Sequence, residues 1–386
     1  MEDFFRQLDS LLNLEVLDVV LLSALFLFFL VQMYFYQVYY KKPLAKVRQI
    51  ASGEDSKYLN KVVYPKVSVI IVSVNESENL KKNLPYVLDQ NYPDFEVVVV
   101  NDGSTDESEV LLESLKLEHP NLYSTYLPLS ADRLLSRRKL SLTIGIKAAK
   151  GDILLFTEPY SRPISDTWIS SMIEEFAEEK EIVLGYSYYE KDQRLYNRMA
   201  RFDNLIFSLQ YMSMAIRNKP YTGTYSNIAY KKHLFFDNKG FSSLLNIEQG
   251  EKVFINKIMN STNTSVALSQ ASFVETSLYS YSLWRQIRKS YSNAKAYFKG
   301  FSGRRFFCEY LSRYLYYILF ILAIVKSVIP LNIAMLSFAC LLFVARQVIQ
   351  MVIVNKSANY FNCGKFYFSL LYLDLFQPLY KLRHRK

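Results

Sequence analysis

The sequence predicts an α/β domain with a mostly parallel sheet, held at a membrane by one N-terminal and two C-terminal helices. Two short β-branched runs, at residues 67–72 and 96–100, predict the domain, because each is too short for a helix and each precedes helix-like sequence. Three long stretches with few or no charged side chains predict the anchors.

The first anchor is predicted at residues 19–40, which contain no charged side chain. A helix needs about 20 apolar residues to cross a bilayer. The sequence before it is acidic and lacks the basic start and cleavage site of a signal peptide, so we expect the helix to be retained. Basic residues follow at once, namely Lys41, Lys42, Lys46 and Arg48. Since positive flanks stay inside, the main domain is expected in the cytoplasm.

The domain itself is predicted to alternate strands with helices. A third strand is expected at 152–156, after an amphipathic stretch at 140–150. Ligands of such sheets bind at the carboxyl ends of the strands, so the polar residues that follow each strand become candidates. They are Asn75, Glu76, Asp102 and Glu158. A solvated turn with helix-capping side chains is the alternative for each of them taken alone.

The two C-terminal anchors are predicted at 310–329 and 331–354, as a helical hairpin that bends at Pro330. Arg313, Lys326 and Arg346 lie near the predicted helix ends, where long side chains can reach the interface. A functional charge inside the membrane is the alternative.

A last apolar segment, residues 365–380, contains Asp374 and Pro378 and precedes a basic tail. We expect an interfacial helix rather than a fourth span, because the tail then stays in the cytoplasm.

The formal net charge of +10 fits either an anionic membrane surface or a nucleic acid. No nucleic-acid-binding motif accompanies this charge, so the sequence predicts no nucleic-acid partner. The three Cys and three His have neither CxxC nor HExxH spacing, which indicates neither a disulfide framework nor a zinc site.

Several blocks of the domain follow one another in a familiar order. They read VSVIIVSVNESENL, QNYPDFEVVVVNDGSTDES, RRKLSLTIGIKAAKGDILLFTEPYSRPISDTWI and, further on, WRQIRKSYSNAKAYFKG. Together they resemble family 2 glycosyltransferases of the GT-A fold, over about residues 64–300. Flanking membrane helices are common in bacterial members, so the resemblance implies a multi-pass protein of the bacterial inner membrane.

The resemblance implies donor-binding roles near the first two strands. The carboxylate that binds the nucleoside corresponds to Asp102, and the residues that line the base correspond to Asn75 and Glu76. Lys139 matches a basic residue near the nucleotide. These residue types suit the task, since a carboxylate accepts hydrogen bonds from ribose hydroxyls and a lysine can face a pyrophosphate.

The family also uses an Asp-x-Asp motif that holds Mg²⁺ or Mn²⁺ against the donor diphosphate. Here the motif reads Glu158-Pro159-Tyr160. The resemblance therefore implies a divalent cation at Glu158, although Tyr160 is a poor ligand for it.

The family's Glu-Asp pair, whose Asp is the general base, falls near residues 249–252. Read without a gap, Glu251 matches the Glu and Lys252 replaces the base. Shifted by one residue, Glu251 becomes the base itself, which is the catalytic role we assign to it.

A Gln-x-x-Arg-Trp type motif of the family corresponds to residues 286–290. Gln286 and Lys289 keep its polar and basic character and are expected to contact the donor. Residues 281–305 carry seven Lys or Arg and no acid. This run is interpreted equally well as a helix on the membrane surface or as a contact for the diphosphate.

The resemblance implies inverting transfer of a sugar from a nucleoside diphosphate sugar to a glycan or lipid-linked acceptor, in envelope polysaccharide or glycolipid synthesis. The alternative is a catalytically inactive member that binds nucleotide and serves as a scaffold or partner subunit. Five departures from the family motifs motivate it: Tyr160, Tyr225, Ser226, Lys252 and Ser290.

The predicted organisation has five parts. They are an N-terminal tail and membrane helix at 1–40, a basic linker at 41–63, the GT-A domain at 64–300, a membrane hairpin at 301–356, and an interfacial helix with a basic tail at 357–386.

Overall fold

A computed structural model of the 386-residue chain describes residues 14–53, 64–128, 137–176, 179–300, 302–329 and 332–383. The strands within these residues are β1 (Val67–Ser73), β2 (Phe95–Asn101), β3 (Leu122–Tyr126), β4 (Ile153–Phe156), β5 (Ser161–Pro163), β6 (Ile182–Leu184), β7 (Ser187–Tyr189), β8 (Ile228–Lys231), β9 (Thr264–Val266) and β10 (Val274–Thr276).

The α-helices begin with α1 (Val16–Phe35) and α2 (Lys42–Ala51), which a π-helical turn at Tyr36–Tyr40 joins. The domain contributes α3 (Ser77–Leu88), α4 (Ser108–Glu118), α5 (Arg137–Ala148), α6 (Trp168–Ile173), α7 (Leu195–Ile216), α8 (His233–Asp237), α9 (Gly250–Ile258) and α10 (Tyr281–Lys295). The C-terminal part contains α11 (Ser302–Val328), α12 (Ile333–Tyr360) and α13 (Leu370–Arg383).

The main sheet has the strand order β3-β2-β1-β4-β8-β6-β9. The first four strands of this order are parallel, and β8 runs antiparallel to both β4 and β6. Every residue of β1 and β4 is buried, as expected for strands covered on both faces. The predicted α/β class and mostly parallel sheet are therefore confirmed. A smaller sheet has the order β5-β10-β7.

Helix α5 packs unusually close to the sheet, because Gly145 faces β1 and β2. A Cβ at this position would lie 3.0 Å from a methyl carbon of Ile70 and 3.1 Å from one of Val100. Leu142 and Ile146 of the same helix are buried in the core beside these strands. This packing fixes the rotation of α5 and places its basic first turn at the carboxyl ends of the strands.

Among the described residues, three helices are long and apolar enough to cross a membrane, at Val16–Ala51, Arg304–Val328 and Ile333–Tyr360. They confirm the predicted arrangement of one N-terminal and two C-terminal apolar helices. The predicted bend at Pro330 and the last three residues of the basic tail lie outside the described residues.

The charged side chains of the two C-terminal helices do not behave alike. Lys326 forms ion pairs with Glu15, at 2.9 Å, and with Asp18, at 2.5 Å, and keeps 29% of its side chain exposed. Arg313 and Arg346 are buried among the helices, at 1% and 0% exposed. The prediction that these two arginines reach the interface is wrong, because carboxylates inside the bundle neutralise them.

The interfacial helix predicted at 365–380 corresponds to α13, which begins at Leu370 and ends at Arg383. Its Asp374 is fully buried and forms ion pairs with Arg313, at 2.9 Å, and Arg346, at 2.7 Å. The helix is thus anchored to α11 and α12 by charge as well as by apolar contacts. Its position at the membrane interface stays a prediction.

Asn227 ties the two sheets together, and its replacement by Ala should destabilise the domain. Its Nδ2 donates to the carbonyls of Tyr186 and Ser272, at 2.9 and 2.7 Å, and its Oδ1 accepts from Trp168 Nε1 at 3.2 Å. The substitution leaves three buried groups without their hydrogen-bond partner. We therefore expect the unfolding free energy to fall by about 3 kcal/mol, measured by denaturant titration. The control Asn238→Ala removes one bond near the surface, and an equal effect of both substitutions would contradict this role.

Candidate active site

The loops that follow β1 and β2 are joined by hydrogen bonds. Asn75 adopts a left-handed backbone conformation, with φ of 52°, which asparagine tolerates better than most residues. Its Oδ1 accepts from the backbone N of Thr105 at 2.8 Å, and its own N donates to Ser104 Oγ at 2.9 Å. These bonds hold the candidate donor-binding residues of the two strand ends side by side.

Asp102 is buried directly after β2 and forms an ion pair with an arginine. Its backbone N donates to the carbonyl of Ser73 at 2.8 Å. The carboxylate accepts from Arg137, with Nε at 2.9 Å from Oδ1 and Nη2 also in contact. Arg137 stands in the first turn of α5, so the second strand end and the helix form one charged unit.

Glu76 lies half-buried beside this unit. Its carboxylate accepts from the hydroxyl of Tyr279 at 3.0 Å and from Asn79. Burial raises the pKa of Glu76 above its ordinary value. Tyr279, which precedes α10, thereby fixes the position of the Glu76 side chain.

Two further carboxylates meet at Arg138. Glu158, after β4, accepts from Arg138 through both of its oxygens, one of them at 3.4 Å. Glu251, at the start of α9, has Oε1 at 4.0 Å from Arg138 Nε. The guanidinium also lies 5.9 Å from the ring centre of Tyr225. Arg138 therefore bridges the predicted metal ligand and the predicted base.

Glu251 is almost completely buried, at 1% exposed, and is paired with its neighbour in sequence. Lys252 Nζ donates to Glu251 Oε1 at 2.8 Å, and Oε2 has no hydrogen-bond partner among the described residues. Although burial alone would raise it, Lys252 and Arg138 lower the pKa of Glu251 below its ordinary value. These two cations therefore favour the ionised carboxylate, and its Oε2 is buried.

Arg138, Glu158 and Lys252 border a cavity of about 550 Å³, whereas Glu251, Asp102 and Glu76 are not among the residues that line it. Residues of α10 also line this cavity, and we refer to them as the α10 wall. Gln286 and Lys289, one helical turn apart, both face the cavity. Neither has a hydrogen-bond or ion-pair partner within the part of the chain that the structure describes, so both are available to a ligand.

Lys139 lies away from this cavity. Its Nζ donates to the carbonyls of Leu244, Leu245 and Ile247, at 2.8, 2.7 and 2.6 Å. All three of its protons are thus used to hold the loop that leads into α9. In this structure Lys139 supports the helix that carries Glu251 and does not line the cavity, so its contact with the donor stays a prediction.

Sequence reasoning overlooked Arg137 and Arg138. The signal was present as the consecutive basic residues 137–139 before an amphipathic helix. Successive side chains of a helix point about 100° apart, so only the packing of α5 reveals which of the three face the strand ends.

The residues at the predicted metal position do not fit a divalent cation in this arrangement. The carboxylate of Glu158 is engaged by a guanidinium, and the second position of the motif is a phenol. Burial and Glu158 raise the pKa of Tyr160 well above its ordinary value, so this phenol stays neutral. Within the described ranges, no group of three or more His, Cys, Asp or Glu side chains could hold a metal ion.

Comparison with known proteins identifies the domain. Residues 68–238 match the family described as Glycosyl transferase family 2. Glycosyltransferase GlyA of Streptococcus pneumoniae serotype 4 is 29% identical over 182 residues, which cover 40% of this chain and 24% of that protein. TuaG of Bacillus subtilis, a glycosyltransferase whose name assigns it to teichuronic acid biosynthesis, is 26% identical over 128 residues, covering 32% and 47%. The matched regions span less than half the length of either relative.

A solved structure shares the architecture over nearly the whole chain. It is the mannosyltransferase PcManGT from Pyrobaculum calidifontis in complex with GDP-Man and Mn²⁺. The TM-score is 0.53 at 15% identity, and the match covers 94% of this chain and 98% of that one. At this identity the likeness shows the GT-A fold and nothing finer.

Proposed function

Since residues 68–238 form a family 2 glycosyltransferase domain of GT-A fold, we propose that the chain transfers a sugar from a nucleoside diphosphate sugar to an acceptor hydroxyl. One observation carries this proposal. Asp102, Glu158 and Glu251 belong to elements that are far apart in sequence. Each is nevertheless buried at the carboxyl edge of the sheet, beside Arg137 or Arg138 of the first turn of α5. Such an edge is where open α/β sheets bind their ligands.

The donor's nucleoside is proposed to bind in the loops after β1 and β2. Asn75 and Glu76 would line the base, and Asp102 would accept from the nucleoside. Arg137 now occupies Asp102 Oδ1, but Arg137 is 31% exposed, so it can turn toward a phosphate while Asp102 receives the ligand. The diphosphate would then extend toward Glu158 and the cavity, where Gln286 and Lys289 face it.

The reaction is proposed to be an inverting, in-line displacement. Glu251 Oε2 would accept the proton of the acceptor hydroxyl while that oxygen attacks the anomeric carbon. The bond from this carbon to the diphosphate breaks in the same step, and the nucleoside diphosphate leaves. A general base contributes about 10²–10⁴-fold, so positioning and electrostatic stabilisation must supply the remainder.

The acceptor is proposed to be a glycan or a lipid-linked glycan at the inner face of a bacterial inner membrane. The three apolar helices support attachment to a bilayer, and the basic residues that follow α1 support a cytoplasmic domain. In this arrangement, the product would belong to an envelope polysaccharide or a glycolipid.

A catalytically inactive nucleotide-binding scaffold is the second candidate. The observation that favours it is the closure of the site: Glu251 is 1% exposed, and Asp102 and Glu158 both accept from arginines. The two candidates share nucleotide binding and differ in turnover.

The test is a titration of purified full-length protein with a panel of nucleoside diphosphates, followed by donor turnover on membrane lipid extracts. We expect one nucleoside diphosphate to bind, and Asp102→Ala to weaken it by about 10-fold or more. Glu113→Ala, at an exposed residue of α4, is the surface control. Binding without turnover would favour the scaffold, and binding that is indifferent to Asp102→Ala would contradict both candidates.

A further inference from the structure

The departure of a diphosphate leaves negative charge that a glycosyl transfer site must stabilise. A bound divalent cation is one way to do so, and a fixed guanidinium is another, because its planar fork forms paired hydrogen bonds to phosphate oxygens. At Glu158, where the sequence motif predicts a divalent cation, the structure contains a guanidinium, that of Arg138.

Arg138 is held firmly at this place. Its Nη1 and Nη2 both donate to Glu158, its Nε lies 4.0 Å from Glu251, and its guanidinium packs on the Tyr225 ring. Its position in the first turn of α5 is set by the packing of that helix on β1 and β2. An arginine anchored in this way needs little reorganisation when charge develops nearby.

Arg138 nevertheless remains open to a ligand. Its side chain is 35% exposed and borders the cavity of about 550 Å³. Nε is buried, but Nη1 and Nη2 each carry two N–H groups, and each forms one hydrogen bond among the described residues, to Glu158. The second N–H group of each terminal nitrogen is therefore left for phosphate oxygens.

We propose that Arg138 is the resident cation of this site and binds the donor diphosphate in place of a divalent metal ion. The proposal rests on the proposed function for its role in turnover. As the acceptor oxygen bonds to the anomeric carbon and the bond to the diphosphate breaks, the electron pair goes to the diphosphate oxygen, and Arg138 stabilises the charge there. Glu158 then serves to orient this guanidinium.

The decisive experiment compares binding of UDP and GDP with that of uridine and guanosine by calorimetry, with full-length protein in EDTA and again with Mn²⁺. We expect the nucleoside diphosphate that binds to exceed its nucleoside in affinity by the same factor in EDTA and in Mn²⁺. In Arg138→Gln this factor should fall by about 10-fold or more, and Arg138→Lys should restore part of it.

Arg162→Gln is the matched control. Arg162 also pairs with a glutamate, Glu275, at 2.6 Å, and also packs on a tyrosine ring, but it lies outside the cavity. This substitution should leave the diphosphate advantage unchanged. If Arg138→Gln does not fold, the diphosphate advantage is compared between the unmodified protein and Arg138→Lys alone. Lysine keeps the positive charge but lacks the paired N–H donors of the guanidinium.

The outcomes separate this inference from the proposed function. A diphosphate advantage that appears only with Mn²⁺, or that survives in Arg138→Gln, overturns the role of Arg138. Failure of every nucleoside diphosphate to bind overturns it as well. Metal-independent binding without any sugar transfer supports the diphosphate-binding role of Arg138 and contradicts the transferase function. Sugar transfer that requires Mn²⁺ supports the transferase function and contradicts the role of Arg138.

Discussion

Replacing Asp374 by Ala is expected to destabilise the protein strongly, by about 3–5 kcal/mol, because it removes one partner of a buried ion-pair cluster. Asp374 Oδ2 accepts from Arg346 Nη2 at 2.7 Å and from the Tyr317 hydroxyl at 2.9 Å, and Oδ1 lies 2.9 Å from Arg313 Nη1. Without Asp374, two buried guanidiniums are left with the single carboxylate of Glu309.

The cluster is balanced as it stands, with Arg313 and Arg346 opposite Glu309 and Asp374. Replacing a whole pair by apolar residues costs much less than removing one partner. We therefore expect the double variant Asp374→Leu, Arg346→Met to be more stable than Asp374→Ala. The pair Arg313 and Glu309 stays neutral in that variant.

Thermal and denaturant unfolding of the detergent-solubilised protein measure these effects. The control is Glu15→Ala, which removes an exposed partner of Lys326 and should cost no more than about 1 kcal/mol. If Asp374→Ala were no worse than Glu15→Ala, or the double variant were worse than Asp374→Ala, the cluster would not anchor α13.

The same helix reaches the candidate active site through Gln377. Its Nε2 donates to Asp203 Oδ1 at 3.1 Å, and Asp203 forms an ion pair with Arg288 of α10. Asp203 and Arg288 both border the cavity. Loss of the anchor at Asp374 should therefore disturb the α10 wall as well as lower stability.

Glu251→Gln is expected to have the largest effect on catalysis. The amide keeps the shape of the carboxylate and cannot accept the acceptor's proton, so kcat should fall by about 10²–10⁴-fold. Nucleoside diphosphate affinity, measured by calorimetry, should change by no more than about 2-fold, because Glu251 is proposed to act on the acceptor and not on the donor. Single-turnover transfer measures the loss directly.

The control for this substitution is Glu113→Gln on the surface of α4, where the acid pairs with Lys116. Turnover that is indifferent to Glu251→Gln would remove Glu251 from the role of base. A loss of turnover that is matched by an equal loss of nucleotide affinity would assign Glu251 to the support of Arg138 and Lys252 instead.

The parts of the fold that depend on local pattern were predictable from the sequence. The runs that became β1 and β2 are rich in β-branched residues, the run that became β4 is apolar, and all three are bounded by polar turns; this combination indicates strands buried on both faces. The apolar helices were predictable for a similar reason, since their length and lack of charge fit a bilayer.

The parts that depend on long-range pairing were not predictable. Arg346 looked like a side chain near a helix end, and only the return of α13 places Asp374 against it. In the same way, nothing in the local sequence tells that Arg138 meets Glu158 and Glu251 while Lys139 turns to three carbonyls. These contacts follow from how α5 is rotated on the sheet.

A structure of the full-length protein with a bound nucleoside diphosphate tests the proposed site most directly. We predict a base between Asn75 and Asp102 and a diphosphate in contact with the guanidinium of Arg138, at the edge of the cavity. A nucleotide bound on any other surface, or a site that stays empty at saturating nucleotide, would contradict this prediction.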